Sequence, residues 1–137
     1  MKADAIWLDG YRFLLSNDRG HRVVVDLRRE KGGGDTGPTP LELAVMSLAG
    51  CLGVIFKVVA EKRRFRFSNL RITLEAEKPK GASTITRVRG QVILNADNGE
   101  EAERVLRITL RNCPVEVLFR RSGVDLEWSL RVDKPKT

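Results

Sequence analysis

From Leu43 to Phe56 the chain is apolar except at Ser47, with Gly50 and Gly53 among the residues in between. This run limits the possible folds more than any other feature. Thr39-Pro40-Leu41-Glu42 stands just before it and has the form of a capping box, with Thr39 as N-cap and Pro40 at the first helical position. The spacing predicts a helix from there to about Arg64, and the basic Lys62-Arg63-Arg64 complements its C-terminal dipole. In the first turns Leu43, Ala44, Val45, Met46, Leu48, Ala49, Cys51, Leu52, Val54 and Ile55 are apolar nearly all round, so the helix needs cover on every side. One sheet from so short a chain covers one side. A second copy of the chain is the simplest cover for the other, and Gly50 and Gly53 would let its backbone approach closely. The run is shorter than the roughly 20 apolar residues a bilayer needs. Met1-Lys2-Ala3-Asp4 leads into a mixed polar segment, not an apolar leader core. The expectation is a cytoplasmic protein with no membrane partner.

Short strands are expected before this helix. Ala3–Leu8 and Tyr11–Leu15 flank Asp9-Gly10, a hairpin turn pair, and His21–Asp26 follows the turn Asn17-Asp18-Arg19-Gly20. The glycine-rich Lys31–Gly37 reads as a flexible connector, since no Gly-Lys-Ser/Thr follows to make a phosphate loop. After the helix, Asn69–Glu77 and Thr84–Ala96 alternate apolar and polar residues, the mark of strands with one wet face. A second helix starts near Asp97-Asn98 and is interrupted at Cys113-Pro114, because proline disfavours helix at the residue before it. Pro114 then opens a short helix, Val115–Arg121, that ends at Gly123. Val124–Val132 is the last strand, and Lys134–Thr137 a frayed tail. The order β-β-β-α-β-β-α-α-β, joined mainly by hairpins, predicts an α+β fold with a largely antiparallel sheet. A length of 137 residues suits one domain spanning the whole chain.

The two cysteines, Cys51 and Cys113, are too far apart for a CxxC pair, and with His21 the only histidine no zinc set can be assembled. Neither a metal nor a cofactor is expected. Each cysteine has a packing explanation, since free cysteine is among the most buried residue types. Cys113 also has a chemical one. At the N-cap of a short helix, free N–H groups and the positive dipole end favour a thiolate. An ordinary thiol is only a few per cent ionised at neutral pH. Half ionisation takes a shift of about 1.5 units, or ~2 kcal/mol, within reach of one well-placed arginine.

Gly37-Pro38-Thr39-Pro40-Leu41-Glu42-Leu43 with Leu48-Ala49-Gly50-Cys51, and Asn112-Cys113-Pro114-Val115, resemble the two cysteine motifs of the OsmC/Ohr family. The GPTPLEL form is closer to its YhfA-like branch. The resemblance implies an OsmC-like fold and an intertwined homodimer with the two central helices back to back. It also implies a thiol-dependent peroxidase acting on organic hydroperoxides, in which Cys51 attacks the peroxide and Cys113 resolves the sulfenate to a disulfide. A dithiol such as a lipoylated protein would be the reductant. The family's acidic residue directly follows the proline. Here Leu41 holds that position and Glu42 comes one later, so Glu42 is either a site residue or only the helix cap. The activating arginine belongs to the N-terminal strands, where Arg12, Arg19 and Arg22 are candidates and Arg22 is carried forward.

The alternatives are a non-peroxidatic thiol protein, a sulfur carrier or a small-molecule binder on the same fold. The net charge of +7 raises nucleic acid as a partner. The basic residues are dispersed among acidic neighbours, however, and the few aromatics form no stacking platform, so no specific nucleic-acid partner is expected.

Overall fold

The computed structural model describes residues 1–135, so the end of the expected tail, positions 136 and 137, lies outside the described residues. The elements run β1 (Ala3–Asp9), β2 (Arg12–Asn17), β3 (Arg22–Val25), a 3-10 turn (Arg29–Lys31), α1 (Pro40–Lys62), β4 (Ser68–Glu77), β5 (Arg87–Asn95), α2 (Gly99–Asn112), α3 (Pro114–Arg121) and β6 (Asp125–Asp133). The α+β class and the predicted order hold, with the one added turn. The chain divides into two compact units, Met1–Met46 and Ser47–Thr137.

The first unit carries an antiparallel meander in the order β1-β2-β3. Gly10, at a φ of +46°, turns the first hairpin, and Trp7 Nε1 donates to its carbonyl at 2.9 Å. The glycine-rich segment is not the flexible connector its composition suggests. The Asp26 carboxylate, 1% exposed, accepts the Thr36 hydroxyl at 2.7 Å and the N–H groups of Thr36, Gly34 and Leu27. A Cβ on Gly33 would stand 2.0 Å from the Leu27 carbonyl oxygen, and one on Gly37 2.2 Å from that of Val24. These glycines are there because backbone passes against backbone.

The Thr36 hydroxyl, with the surrounding N–H groups, holds the Asp26 carboxyl below the usual aspartate range despite burial. A carboxyl whose pKa is lowered by folding stabilises the fold above its unfolded pKa, and that contribution is lost as pH falls through the lower folded value. Asp26→Asn should therefore be less stable than wild type at neutral pH, and the gap should close on acidification below pH 4. Urea unfolding at a series of pH values checks this; a gap that does not change with pH would contradict it.

The second unit carries the sheet β4-β5-β6. β4 and β5 form the expected antiparallel hairpin, but β6 pairs with β5 in parallel, Arg87 opposite Asp125 through Asn95 opposite Asp133. The long α2–α3 connection between them carries the chain back to the start of the sheet, which a tight turn cannot do. The arrangement is thus largely antiparallel in two sheets, with one parallel pairing. Phe56, Val59 and Ala60 of α1, Val92 and Leu94 of β5, and Ala102, Val105 and Leu106 of α2 form the core.

Leu48, Leu52, Phe56 and Val59 make the buried stripe of α1, while Val54 and Val58 are exposed, at 64% and 40%. By length and composition alone this 23-residue helix could cross a membrane, as the core helix of a folded domain also could. Its stripe packed into the core fits the latter. Two residues past the end of the helix, Arg64 takes the left-handed φ of +54° usually left to glycine, and Phe65 N–H closes back on the Ala60 carbonyl at 2.8 Å. Phe65 then packs against Phe56 and Phe67.

Gly90 in β5 is overlaid by the Trp128 ring of β6, and a Cβ there would lie 2.2 Å from Trp128 Cζ3 and 2.8 Å from Leu74 Cδ2. Gly90→Ala should lose about 1–3 kcal/mol through overpacking. Denaturant midpoints read this directly, and an unchanged midpoint would mean that the indole moves aside at no cost.

Candidate functional site

Cys51 lies within α1, and Cys113 is at once the last residue of the α2 connection and the N-cap of α3. The pre-proline restriction holds Cys113 extended, at φ −79° and ψ 110°, which breaks the two helices apart and turns its side chain out of both ladders. Two positions far apart in sequence are thereby brought together: the Cys51 thiol is near enough to act on the Cys113 thiol, and both are free.

Their surroundings differ. Cys51 is half-buried, whereas Cys113 is completely buried. The N–H groups of Glu116 and Val115 at the start of α3 pull the Cys113 thiol down, as expected of a helix N-terminus, but they do not win. Burial, followed by the neighbouring Cys51 thiol, pushes the Cys113 thiol up to about 11. The expectation of a helix-stabilised thiolate at Cys113 is corrected on that ground, and at neutral pH this cysteine is a protonated thiol. One turn beyond Cys51, Ile55 begins a groove of about 380 Å³ lined also by Val58, Val59, Ile108, Lys62, and Asn112 next to Cys113.

The other residues named from the sequence lie in the first unit. Glu42 closes the capping box, accepting the Thr39 N–H at 3.0 Å while its own N–H donates to Thr39 Oγ1 at 3.1 Å. Its second oxygen accepts from Arg28 Nη2 at 3.2 Å. The Thr39 N–H first, then Arg28, hold the Glu42 carboxyl below the usual range. Arg12 pairs with Asp9 at 3.1 Å, Arg19 sits in the exposed turn after Asn17, and Arg22 is exposed at the start of β3. Arg28 was not singled out from the sequence, yet it is the arginine that reaches Glu42. Its only signal is a basic pair, Arg28-Arg29, ahead of the glycine-rich segment.

Gly53, expected to face another backbone, packs against Ile72 of β4 instead, with an added Cβ 3.7 Å from Ile72 Cδ1, while Gly50 faces open space. Much of the positive charge is interleaved with acids: Arg63 and Arg104 meet Glu101, Arg87 and Arg89 meet Glu127, and Arg131 meets Asp133.

An α+β chain with a long central helix and one thiol on it facing another at a proline-opened helix start defines a class of two-cysteine proteins. The model of the OsmC-like protein family matches residues 32–129, and this chain belongs to that family. It is 27% identical to Protein YhfA of Escherichia coli K12 over 126 residues, covering 89% of this chain and 91% of that protein. Among solved structures it superposes on the OsmC-like protein of Mycoplasma pneumoniae with a TM-score of 0.83 at 13% identity, covering 96% of this chain and 95% of the other. On the organic hydroperoxide resistance protein OsmC of Legionella pneumophila the TM-score is 0.70 at 20% identity, covering 96% of each chain.

Proposed function

We propose that this chain is a thiol-dependent peroxidase that reduces organic hydroperoxides through Cys51 and Cys113. The observation that carries the reading is the pair of neighbouring, unlike thiols, Cys51 half-buried and Cys113 completely buried. Cys51, the more accessible, attacks the hydroperoxide as a thiolate. The O–O bond breaks, Cys51 becomes a sulfenic acid, and the leaving alkoxide takes a proton from solvent to depart as the alcohol. Cys113 then attacks that sulfur, a disulfide forms, and water carries away the Cys113 proton and the sulfenate hydroxyl. A dithiol, such as a lipoyl group, would return both thiols by exchange. The groove that starts at Ile55, a turn along α1 from Cys51, would suit the organic part of the substrate against Val58, Val59 and Ile108.

The functional unit in this reading is a cytoplasmic homodimer, with the exposed Val54 and Val58 of α1 covered by a second copy. Arg22 and Glu42 have supporting roles. If Arg22 activates Cys51, Arg22→Ala should slow sulfenate formation by about tenfold or more, and an unchanged rate would exclude it.

One equivalent of cumene hydroperoxide added to the reduced protein tests the reading. Loss of both thiols with one new intramolecular disulfide supports it. A folded, reduced protein that does not react belongs to the alternative, a non-peroxidatic thiol or sulfur-carrier protein.

A further inference from the structure

Glu116 is the one buried charge of α3. Its side chain is 1% exposed, at the third position of the helix that Cys113 caps. One carboxylate oxygen pairs with Arg120, a turn further on, and the other is buried with no hydrogen-bond partner among the described residues. A buried carboxylate is costly unless paired, and an apolar side chain would fill this place at lower cost. Arg120 also reaches back across the corner, its Nη2 lying 3.5 Å from the carbonyl of Leu110, one of the open carbonyls at the end of α2. A single guanidinium thus ties the first turn of α3 to the last turn of α2. Between these two turns lie Asn112, Cys113 and Pro114, and Cys113 is the N-cap of the helix that carries Glu116.

We propose that Glu116, through its ion pair with Arg120, is a positioning residue for Cys113. It holds the α2–α3 corner so that the Cys113 sulfur stays against Cys51, and so sets how readily the two thiols join. This rests on the reading of Cys51 and Cys113 as a redox couple, but not on the peroxide as oxidant. The chemistry that reads it is exchange with glutathione disulfide: two protein thiols and one glutathione disulfide become one protein disulfide and two glutathione thiols, with two electrons passing to glutathione. The equilibrium constant of that exchange measures the effective concentration of one cysteine at the other.

Glu116→Gln keeps the shape and removes the charge that holds Arg120. In glutathione buffers of graded ratio it is expected to lower the equilibrium constant for the intramolecular disulfide by roughly tenfold. Arg120→Gln should give a similar fall, and the double variant no more than either single one, because the two side chains act as one unit. Glu116→Asp should restore part of the loss. A purely structural role would lower the melting temperature of the reduced protein and leave this constant where it was. Both are measured on each variant, with near-UV circular dichroism to establish the fold. Should Glu116→Gln not fold, Arg120→Gln, whose side chain is 54% exposed, carries the test. Folded variants within twofold of wild type would overturn the proposal. A wild type that forms no intramolecular disulfide at any ratio would remove the redox couple itself and the proposal with it, a distinct result.

Discussion

Replacing Cys51 by serine is expected to slow peroxide consumption on the order of a thousandfold or more, because a serine hydroxyl has neither the acidity nor the soft nucleophilicity of a thiolate. Cys113→Ser should behave differently. Its first equivalent of cumene hydroperoxide should be consumed at close to the wild-type rate and then leave a sulfenic acid on Cys51. That species reacts with dimedone and, with excess peroxide, passes to the sulfinic acid. The asymmetry follows from the site. Cys113 is completely buried and protonated, with its thiol pushed up to about 11, so it is a poor first nucleophile. It is well placed as the second, since it neighbours the sulfur it would attack. The decisive measurement is stopped-flow peroxide loss with mass spectrometry of the products. A Cys51→Ser protein that still consumes peroxide at the wild-type rate would reverse the two roles and make Cys113, at the N-terminus of α3, the attacking thiol.

Val54→Asp should separate folding from assembly. In the single chain Val54 is 64% exposed, so a carboxylate there meets water and should leave the melting temperature of an isolated chain nearly unchanged. If a second copy covers this face of α1, the same carboxylate becomes a buried, unpaired charge. The cost is then about 3–5 kcal/mol, a weakening of the dimer by roughly two to four powers of ten. Sedimentation equilibrium of wild type and variant at micromolar concentration gives the answer. A well-folded wild-type monomer would sink the dimer, and so would a variant that dimerises as tightly as wild type.

Many of the elements were legible because their signals are local. The capping box from Thr39 to Glu42, the N-cap at Asn98 whose side chain accepts the Glu101 N–H, and the helix break at Cys113-Pro114 each depend on residues within a turn of one another. The period-two faces of β4, β5 and β6 are legible for the same reason, and the two cysteine motifs could be matched to a family as short strings. The sequence by itself therefore determined the order of the elements, the α+β class and the identity of the two thiols. The parallel pairing of β6 with β5 was out of its reach, since strand direction depends on where the α2–α3 connection returns. So were the close backbone approaches at Gly33 and Gly37, the left-handed Arg64, and the bond from Arg28 to Glu42.

The chemistry of the site divides the same way. A cysteine at a helix N-cap reads as a thiolate when only its own helix is considered. How much water is stripped from that sulfur depends on every element packed around it, Cys51 among them, and the tertiary structure reverses the sign. Local hydrogen bonds and backbone preferences act over a few neighbouring residues and are written there. Burial and the meeting of distant side chains are properties of the assembled fold, and only it decided that the Cys113 thiol is pushed up and that Glu116 is buried in the helix that Cys113 caps.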